Sequence, residues 1–496
     1  MTIRLRVNGY FSHMKKQLLL LFFGMLQLLA QSQPVTDRQP NVIIIVADQW
    51  RGQALGFLHQ EKVKTPNLDR LAAQSLVLTN FISNYPVCSP ARAMLMTGRY
   101  PFSNGVYSNV QSESAPYGVQ LDANATCWSD LLKQAGYSLG YIGKWHLDSP
   151  HPPYIPTSNN NGAMKWNEWT EPARRHGFDY WYAYGTYDMH LKPMYWDNHA
   201  GRMDFEYINQ WGPEHEVDKA IAFMDNKDNS YRKAGNPFAM VISMNPPHTG
   251  YNLVPDKYYA VYKDVPLDSL IMDPDIPAKG TPMGDAYRKD IRYYYACMTG
   301  VDDQLGRLFA YLKEKKLDQN TIILFTSDHG NCLGKHDMIT KNNLYEESLR
   351  VPFILYWKGH IKPDMNSDFL MSYPDIYPTL IGLTGVGAEV PAVVEGINYA
   401  PYILQKTKQY PKSQYFLGEV VAPEKQMGFR GIRTKEFKLA YYRKKPSDPV
   451  TPYLFNIVKD PFEMNNLYDA DPVTVKKLKT ELEQWLNKTK DPFRLR

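Results

Sequence analysis

Cysteine is scarce in this chain, with four residues in 496. So few cannot build a disulfide framework, so the fold must rest on a hydrophobic core, for which the length is ample. An excess of either charge is nearly absent too. Lysine plus arginine total 56 and aspartate plus glutamate 51. Arg4, Arg6, Lys15 and Lys16 fall in the first 32 positions, which hold no acid, so 52 bases face 51 acids in the remainder. A near-neutral body gives no electrostatic footing for nucleic acid or an anionic membrane, and neither is expected as a partner. Internal repeats and low-complexity stretches are lacking, and the composition excludes collagen-like and disordered chains. Long apolar runs are missing as well. The most extended one, residues 18–30, is broken by Gln27 and is shorter than the roughly 20 residues of a membrane span.

What is present begins with that run. Lys15 and Lys16 precede it, and the small residues Ala30 and Ser32 end it. Base, apolar stretch and small residues in that order are the pattern of a secretory signal peptide. Residues 1–32 are therefore expected to be a signal peptide, with Met14 an alternative start. The mature protein is expected to be exported, periplasmic or secreted, with no stable membrane association. Export makes disulfides possible. Cys127, Cys297 and Cys332 are either buried thiols or one pair plus an odd residue.

NVIIIVA at 41–47 is a continuous β-branched run, as expected of a strand buried on both faces. Similar runs occur at 239–243, 321–326 and 352–356, with a strand-like stretch at 137–142. Helical patterns lie between them, at 66–72, 128–134 and 285–315. Strands alternating with helices predict α/β architecture, a sheet that is mainly parallel and sandwiched by helices. In such sheets sites form at the carboxyl ends of strands, and polar residues stand there: Asp48-Gln49, Lys144 and His146, 245–248, and Asp328-His329. Residues 150–212, rich in Trp, Tyr, His and Pro, read as long loops over the sheet edge. Beyond about Pro401 the character changes. Residues 431–442 alternate like a strand and 473–486 are amphipathic, which predicts a smaller α+β subdomain with an antiparallel sheet and a final helix. The expected division is 38–390 and 391–496.

Cys88-Ser89-Pro90-Ala91-Arg92, followed by Thr97-Gly98-Arg99, is the segment richest in chemistry. A thiol beside an arginine suits a nucleophile with lowered pKa. Alone, such a cysteine is more often a buried thiol. The segment resembles the C-x-P-x-R and T-G-R signature of type I, formylglycine-dependent sulfatases. The resemblance continues in order through Gly143-Lys144-Trp145-His146, Asn245-Pro246-Pro247-His248, Ser327-Asp328-His329-Gly330 with Gly334 and His336, Lys341, and 345–353, covering roughly residues 40–385. It implies an alkaline phosphatase-like fold. It also implies that a sulfatase-maturating enzyme oxidises Cys88 to Cα-formylglycine, whose hydrate attacks sulfur and later expels sulfate.

The roles that follow are implied by the resemblance. Asp48, Gln49, Asp328 and His329, with the modified Cys88, would hold a divalent cation. Oxygen donors suit Ca²⁺, and Mg²⁺ less. Many relatives carry two adjacent aspartates where this chain has Asp48-Gln49, which removes one formal negative charge. Arg92 would fix the modified side chain, and Lys144 and Lys341 would bind sulfate oxygens. His146 would act as the base on the second hydroxyl and His248 as the acid on the leaving alcohol. His336 reads as mainly structural. Among the aromatic loop residues, His190 is the one named for substrate contact, the expected substrate being a sulfated saccharide. Two alternatives stand beside this reading: a phosphodiesterase or phosphonate monoester hydrolase of the same superfamily, and a non-catalytic binder of sulfated glycans.

Overall fold

Burial on both faces explains the leading strand. In Asn41–Ala47 (β1), Val42, Ile44 and Val46 point into one core, and Ile43, Ile45 and Ala47 into another. β-branched side chains at every position satisfy both at once. The first core lies under helices Cys88–Thr97, Trp128–Gln134 and Ile376–Thr384, and the second under Pro66–Ala72, Gly212–Asp225 and Pro282–Glu314. The computed structural model describes residues 38–407 and 411–495. The expected signal peptide, 1–32, falls outside the described residues.

Along the chain follow Leu76–Leu78 (β2), Ser138–Lys144 (β3), Tyr180–Tyr184 (β4), Met194–Tyr195 (β5), Glu206–Tyr207 (β6), Phe238–Met244 (β7), Thr321–Ser327 (β8), Phe353–Tyr356 (β9) and Asp364–Asn366 (β10). Eight of these strands form one sheet in the order β10-β2-β9-β8-β1-β7-β3-β4. β8, β1, β7, β3 and β4 run parallel, and β9 is reversed between β8 and β2. β5 and β6 make a small ribbon. Residues 150–212 are thus not wholly loop, as the sequence had suggested. YWYAY at β4 is a run of strong β-formers, but it is too short and too isolated among polar turns to show a period.

The remaining strands, Ser413–Gly418 (β11), Gly428–Thr434 (β12), Phe437–Arg443 (β13) and Thr451–Asn456 (β14), form an antiparallel sheet. The single strand read over 431–442 is in fact a tight hairpin. Thr434 Oγ1 accepts the Phe437 amide at 2.9 Å, and the alternation carries through the turn. One face of this sheet packs Tyr415, Leu417, Ile432 and Leu439 beside Val475, Leu478, Leu482 and Leu486 of helix Pro472–Lys488. The other presents Phe416, Phe429 and Phe455 to Ile82, Leu344 and Leu349. That contact clamps the segment just after Lys341.

All four cysteines are buried free thiols, which settles the alternative left open for Cys127, Cys297 and Cys332. Among the described residues no helix is long and apolar enough to cross a membrane.

Gly143 explains one motif position. It sits next to Lys144 at the end of β3 with φ +97°, and a Cβ there would collide with the Ser243 carbonyl of neighbouring β7. Gly143→Ala is expected to lower stability by roughly 2–4 kcal/mol in denaturant unfolding. A loss below about 0.5 kcal/mol, the scale of an ordinary surface change, would refute that reading.

Candidate active site

Strand order assembles the site. β8, β1, β7 and β3 are adjacent, so the residues at their carboxyl ends meet although far apart in sequence: Asp328 and His329, Asp48, Asn245, and Lys144. Cys88 is the first residue of helix Cys88–Thr97, and Arg92 lies one turn on, on the same face. That is the physical meaning of the C-x-x-x-R spacing. Both point into the cleft above the strand ends.

Arg92 is almost fully buried and uses every donor. Nε and Nη2 reach Asp328 Oδ2 at 3.1 and 2.9 Å, and Nη2 also reaches Asp48 Oδ2 at 3.2 Å. Nη1 donates to the Lys144 carbonyl and to Ser243 Oγ, at 2.9 and 2.6 Å. Lys144 Nζ pairs with Asp48 Oδ2 at 2.7 Å. Around Cys88 Sγ stand His329 Nε2 at 3.3 Å, Lys341 Nζ at 3.4 Å, Lys144 Nζ at 3.9 Å and Asp48 Oδ1 at 4.0 Å. Burial and the Asp48 charge oppose ionisation of the thiol, but Lys144, Lys341 and His329 outweigh them and hold its pKa well below the usual value. Burial would likewise raise Asp48, yet Lys144, His248 and His329 keep it low. Asp328 goes the other way, raised by burial and by the like charge of Asp48.

Asp48, Cys88, Asp328 and His329 converge as one potential ligand group, and the donor chemistry fits a divalent cation. His329 Nδ1 lies 2.9 Å from the Gly330 carbonyl, an acceptor only, so Nδ1 carries the hydrogen and the neutral ring's lone pair is on Nε2. Nε2 faces Asp48 Oδ1 at 3.3 Å and Asp328 Oδ1 at 3.6 Å. A lone pair against two carboxylates calls for positive charge between them. Without a cation a proton serves. Burial disfavours that proton, but Asp328 and Asp48 overcome it and raise the His329 pKa to about 9. Gln49 adopts φ +69° and stands at the edge of this group. Its Nε2 donates to Tyr251 Oη at 2.9 Å, which turns Oε1 to Lys341 Nζ at 3.0 Å, while its main-chain amide reaches Asp328 Oδ1 at 3.2 Å.

His146 leaves the extended conformation, with φ +54°. Nε2 lies 2.9 Å from the Val110 carbonyl, and Nδ1 is buried without a hydrogen-bond partner. Burial lowers its pKa, so the ring is neutral with its lone pair free at Nδ1. His248 sits opposite, its Nε2 2.8 Å from Lys341 Nζ and its Nδ1 3.1 Å from Asp188 Oδ1. Burial and Lys341 disfavour its protonation, but Asp188 and Asp48 outweigh them and raise its pKa.

The metal and catalytic residues named from the sequence therefore gather in one cleft. His190 lies behind it. It is 2% exposed, its Nε2 is 3.1 Å from Asn245 Nδ2, and burial lowers its pKa to about 4. Most of the aromatic loop block, including Trp181, Tyr195 and Trp196, is buried and anchors the loops. His336 is engaged by Glu347 and stacks on Tyr345. Asp188 and Asn245 are the site residues the motif reading did not name. Asn245 stood inside a noted motif, but nothing in the sequence marks Asp188.

Comparison with known proteins follows the same lines. The Sulfatase family model matches residues 40–386, and a model described as N-sulphoglucosamine sulphohydrolase, C-terminal, matches 334–491. An endo-4-O-sulfatase of Bacteroides thetaiotaomicron is 36% identical, over 92% of this chain and 93% of that protein. An ulvan-active sulfatase of Formosa agariphila is 31% identical, over 91% and 81%. A solved chain from Bacteroides fragilis, assigned to the sulfatases, superposes with a TM-score of 0.87 at 48% identity, covering 93% of this chain and 98% of that one.

Proposed function

This chain belongs to the sulfatase family, and from that premise we propose that it is an exported enzyme that hydrolyses sulfate monoesters on a sulfated polysaccharide and releases inorganic sulfate. The observation that carries the reading is the cleft in which Cys88 is ringed by Lys144, Lys341 and His329 over the Asp48–Arg92–Asp328 cluster. The polysaccharide class rests on the relatives, which are named for 4-O-sulfate and ulvan. Export rests on the basic, apolar and small residues of positions 15–32.

A maturating enzyme would convert Cys88 to formylglycine, whose hydrate supplies the attacking hydroxyl. Asp48, Asp328 and His329, with Gln49 beside them, would hold Ca²⁺, which when bound polarises the sulfuryl oxygens and offsets their charge. The chain's own groups do the rest. Lys144 and Lys341 flank the nucleophile and bind sulfate oxygens, opposing charge as it develops. Arg92 spends its donors on protein acceptors and so locks the two aspartates rather than gripping substrate. His146, with Nε2–H directed to Val110, offers Nδ1 to take the proton of the second hydroxyl. His248 gives a proton at Nε2 to the departing alcohol.

His248→Gln tests the last assignment. The loss should be roughly 10²–10⁴-fold on a sugar sulfate, whose alcohol leaves poorly, and only a few-fold on an activated aryl sulfate. Equal losses on both would exclude the acid role. Parallel kinetics on aryl sulfate, aryl phosphate and aryl phosphonate esters test the reaction class, and faster turnover of the phosphorus esters would overturn the sulfatase reading.

A further inference from the structure

His248 can serve as an acid only if its ring is held with one particular nitrogen toward the ester, and the structure contains a device that does this. Nδ1 lies 3.1 Å from Asp188 Oδ1, a close ion-pair contact without hydrogen-bond geometry, while Nε2 accepts from Lys341 Nζ at 2.8 Å, which leaves the ring hydrogen on Nδ1. The Asp188 carboxylate is itself fixed from two separate segments. Oδ2 accepts from Asn159 Nδ2 at 3.0 Å and Oδ1 from Asn245 Nδ2 at 3.1 Å, while the Asp188 amide donates to Asn159 Oδ1 at 3.2 Å. Asn245 also fixes the His248 backbone, since its carbonyl accepts the His248 amide at 2.9 Å.

The Asn245 side chain can be oriented only one way. Oδ1 accepts from Lys144 Nζ at 3.3 Å, while Nδ2 faces the Tyr187 carbonyl, Asp188 Oδ1 and His190 Nε2. Flipping the amide would press its NH₂ against an ammonium group and its oxygen against two acceptors, the Tyr187 carbonyl and Asp188 Oδ1. One amide thus ties the sulfate-binding lysine to the carboxylate behind His248, with His190 buttressing it from below. On the far side His248 Nε2 is 2.8 Å from Lys341 Nζ, itself 3.4 Å from Cys88 Sγ. Asp188, His248, Lys341 and Cys88 form a line from the loop to the nucleophile.

We propose that Asp188, seated by Asn159 and Asn245, is the positioning residue of the leaving-group acid: it holds the hydrogen of His248 on Nδ1, so that Nε2 is the atom that delivers a proton to the departing alcohol. The role rests on the sulfatase reading and on His248 as its acid. Asp188 touches neither sulfur nor the ester oxygen, so its effect passes through the imidazole. The acid is the doubly protonated ring: once Lys341 turns from Nε2 to a sulfate oxygen, Nε2 takes a proton from solvent, and that proton goes to the alcohol oxygen as the S–O bond breaks. Nδ1–H stays in place throughout.

The test compares wild type, Asp188→Asn, Asp188→Glu, His248→Gln and the Asp188→Asn/His248→Gln double variant, each with conversion of Cys88 verified by peptide mass spectrometry. The substrates are two aryl sulfates, one with an acidic phenol and one with a weakly acidic phenol. The Asp188→Asn side chain can turn its amide NH₂ to Nδ1, which would disfavour the doubly protonated ring and leave a neutral imidazole, a far weaker acid. Its kcat should fall on the order of 10²-fold with the weakly acidic phenol, and far less with the acidic one. KM should barely move, and Asp188→Glu should recover part of the loss. The double variant should be no slower than His248→Gln alone, because two residues acting through one proton are not additive. Equal losses on both phenols, an effect on KM alone, or additive losses in the double variant would overturn the proposal. If the converted wild type releases no sulfate, the sulfatase reading itself fails and takes this role with it. A wild type that is active beside an Asp188→Asn variant of normal leaving-group dependence defeats the positioning role only.

Discussion

Cys88→Ala protein is expected to fold as wild type does and to lose at least about 10⁴-fold of its sulfate-ester hydrolysis, the scale on which deleting a covalent nucleophile registers. The two halves of that expectation have separate causes. Sγ makes only loose contacts, from 3.3 to 4.0 Å. Its neighbours are all held by other groups: Lys144 by Asp48, Lys341 by Gln49 and His248, and His329 by Gly330. Removing one small buried atom group should cost about 1 kcal/mol of stability. The chemistry has no substitute, because no other nucleophile is placed between the two lysines among the described residues. Peptide mapping of the mature wild-type protein should show the mass change of thiol-to-aldehyde conversion at Cys88, and full activity with an unaltered thiol would end the account. The same map reads the amino terminus, where a first peptide starting at Met1 or Met14 would exclude removal of residues 1–32.

The second large effect is on stability. Arg92→Met should destabilise the protein by about 3–5 kcal/mol, as expected when one partner of a buried ionic cluster is deleted. Arg92 neutralises Asp48 and Asp328 together, and both aspartates are fully buried. Without it Asp48 keeps Lys144. Asp328 keeps the amides of Gln49 and His329, at 3.2 and 2.9 Å, and the His329 ring at 3.6 Å, all of which serve Oδ1. Oδ2 would lose the guanidinium contacts that hold it. Arg92→Lys retains the charge but not the fork, and cannot span Asp48, Asp328, Ser243 and the Lys144 carbonyl at once, so an intermediate loss is expected. Calcium should restore part of the stability of Arg92→Met, because the ion proposed for this site would bind the same carboxylates in the folded state. Ligand at 100 times its Kd adds about 2.7 kcal/mol. Urea unfolding with and without the ion measures both quantities. An Arg92→Met protein within about 1 kcal/mol of wild type, the size of an ordinary substitution, would show that Arg92 is not what neutralises the two buried aspartates.

Much of this was legible before any coordinates. β1 announced itself because a strand buried on both faces has no polar position to interrupt NVIIIVA. Pro282–Glu314 did so because its buried residues, Tyr287, Ile291, Tyr294, Met298, Val301 and Leu305, recur at helical spacing. The residues proposed for catalysis were legible because their motifs are local: Cys88 and Arg92 share a helix face, and Lys144 and His146 share a strand end. β4 was missed because five residues, four of them aromatic, are too few to reveal a period. The hairpin of β12 and β13 was missed because a two-residue turn preserves alternation. Asp188 was invisible because its importance lies in what it touches, and those partners, Asn159, Asn245 and His248, come from other segments.

The sequence by itself determined which chemical groups this protein has at the ends of its strands, and that its sheet is buried on both sides. Periodicity and capping are local properties, written in neighbouring residues. Only the tertiary structure decided that β8, β1, β7 and β3 lie side by side, bringing Asp48 to Asp328 and Lys144. It also decided that His329 presents Nε2 to both carboxylates, that all four cysteines stay free thiols, and that a loop aspartate stands behind His248. Those outcomes depend on contacts between residues up to hundreds of positions apart, and they are fixed by the packing of two cores against one sheet, which no local pattern records.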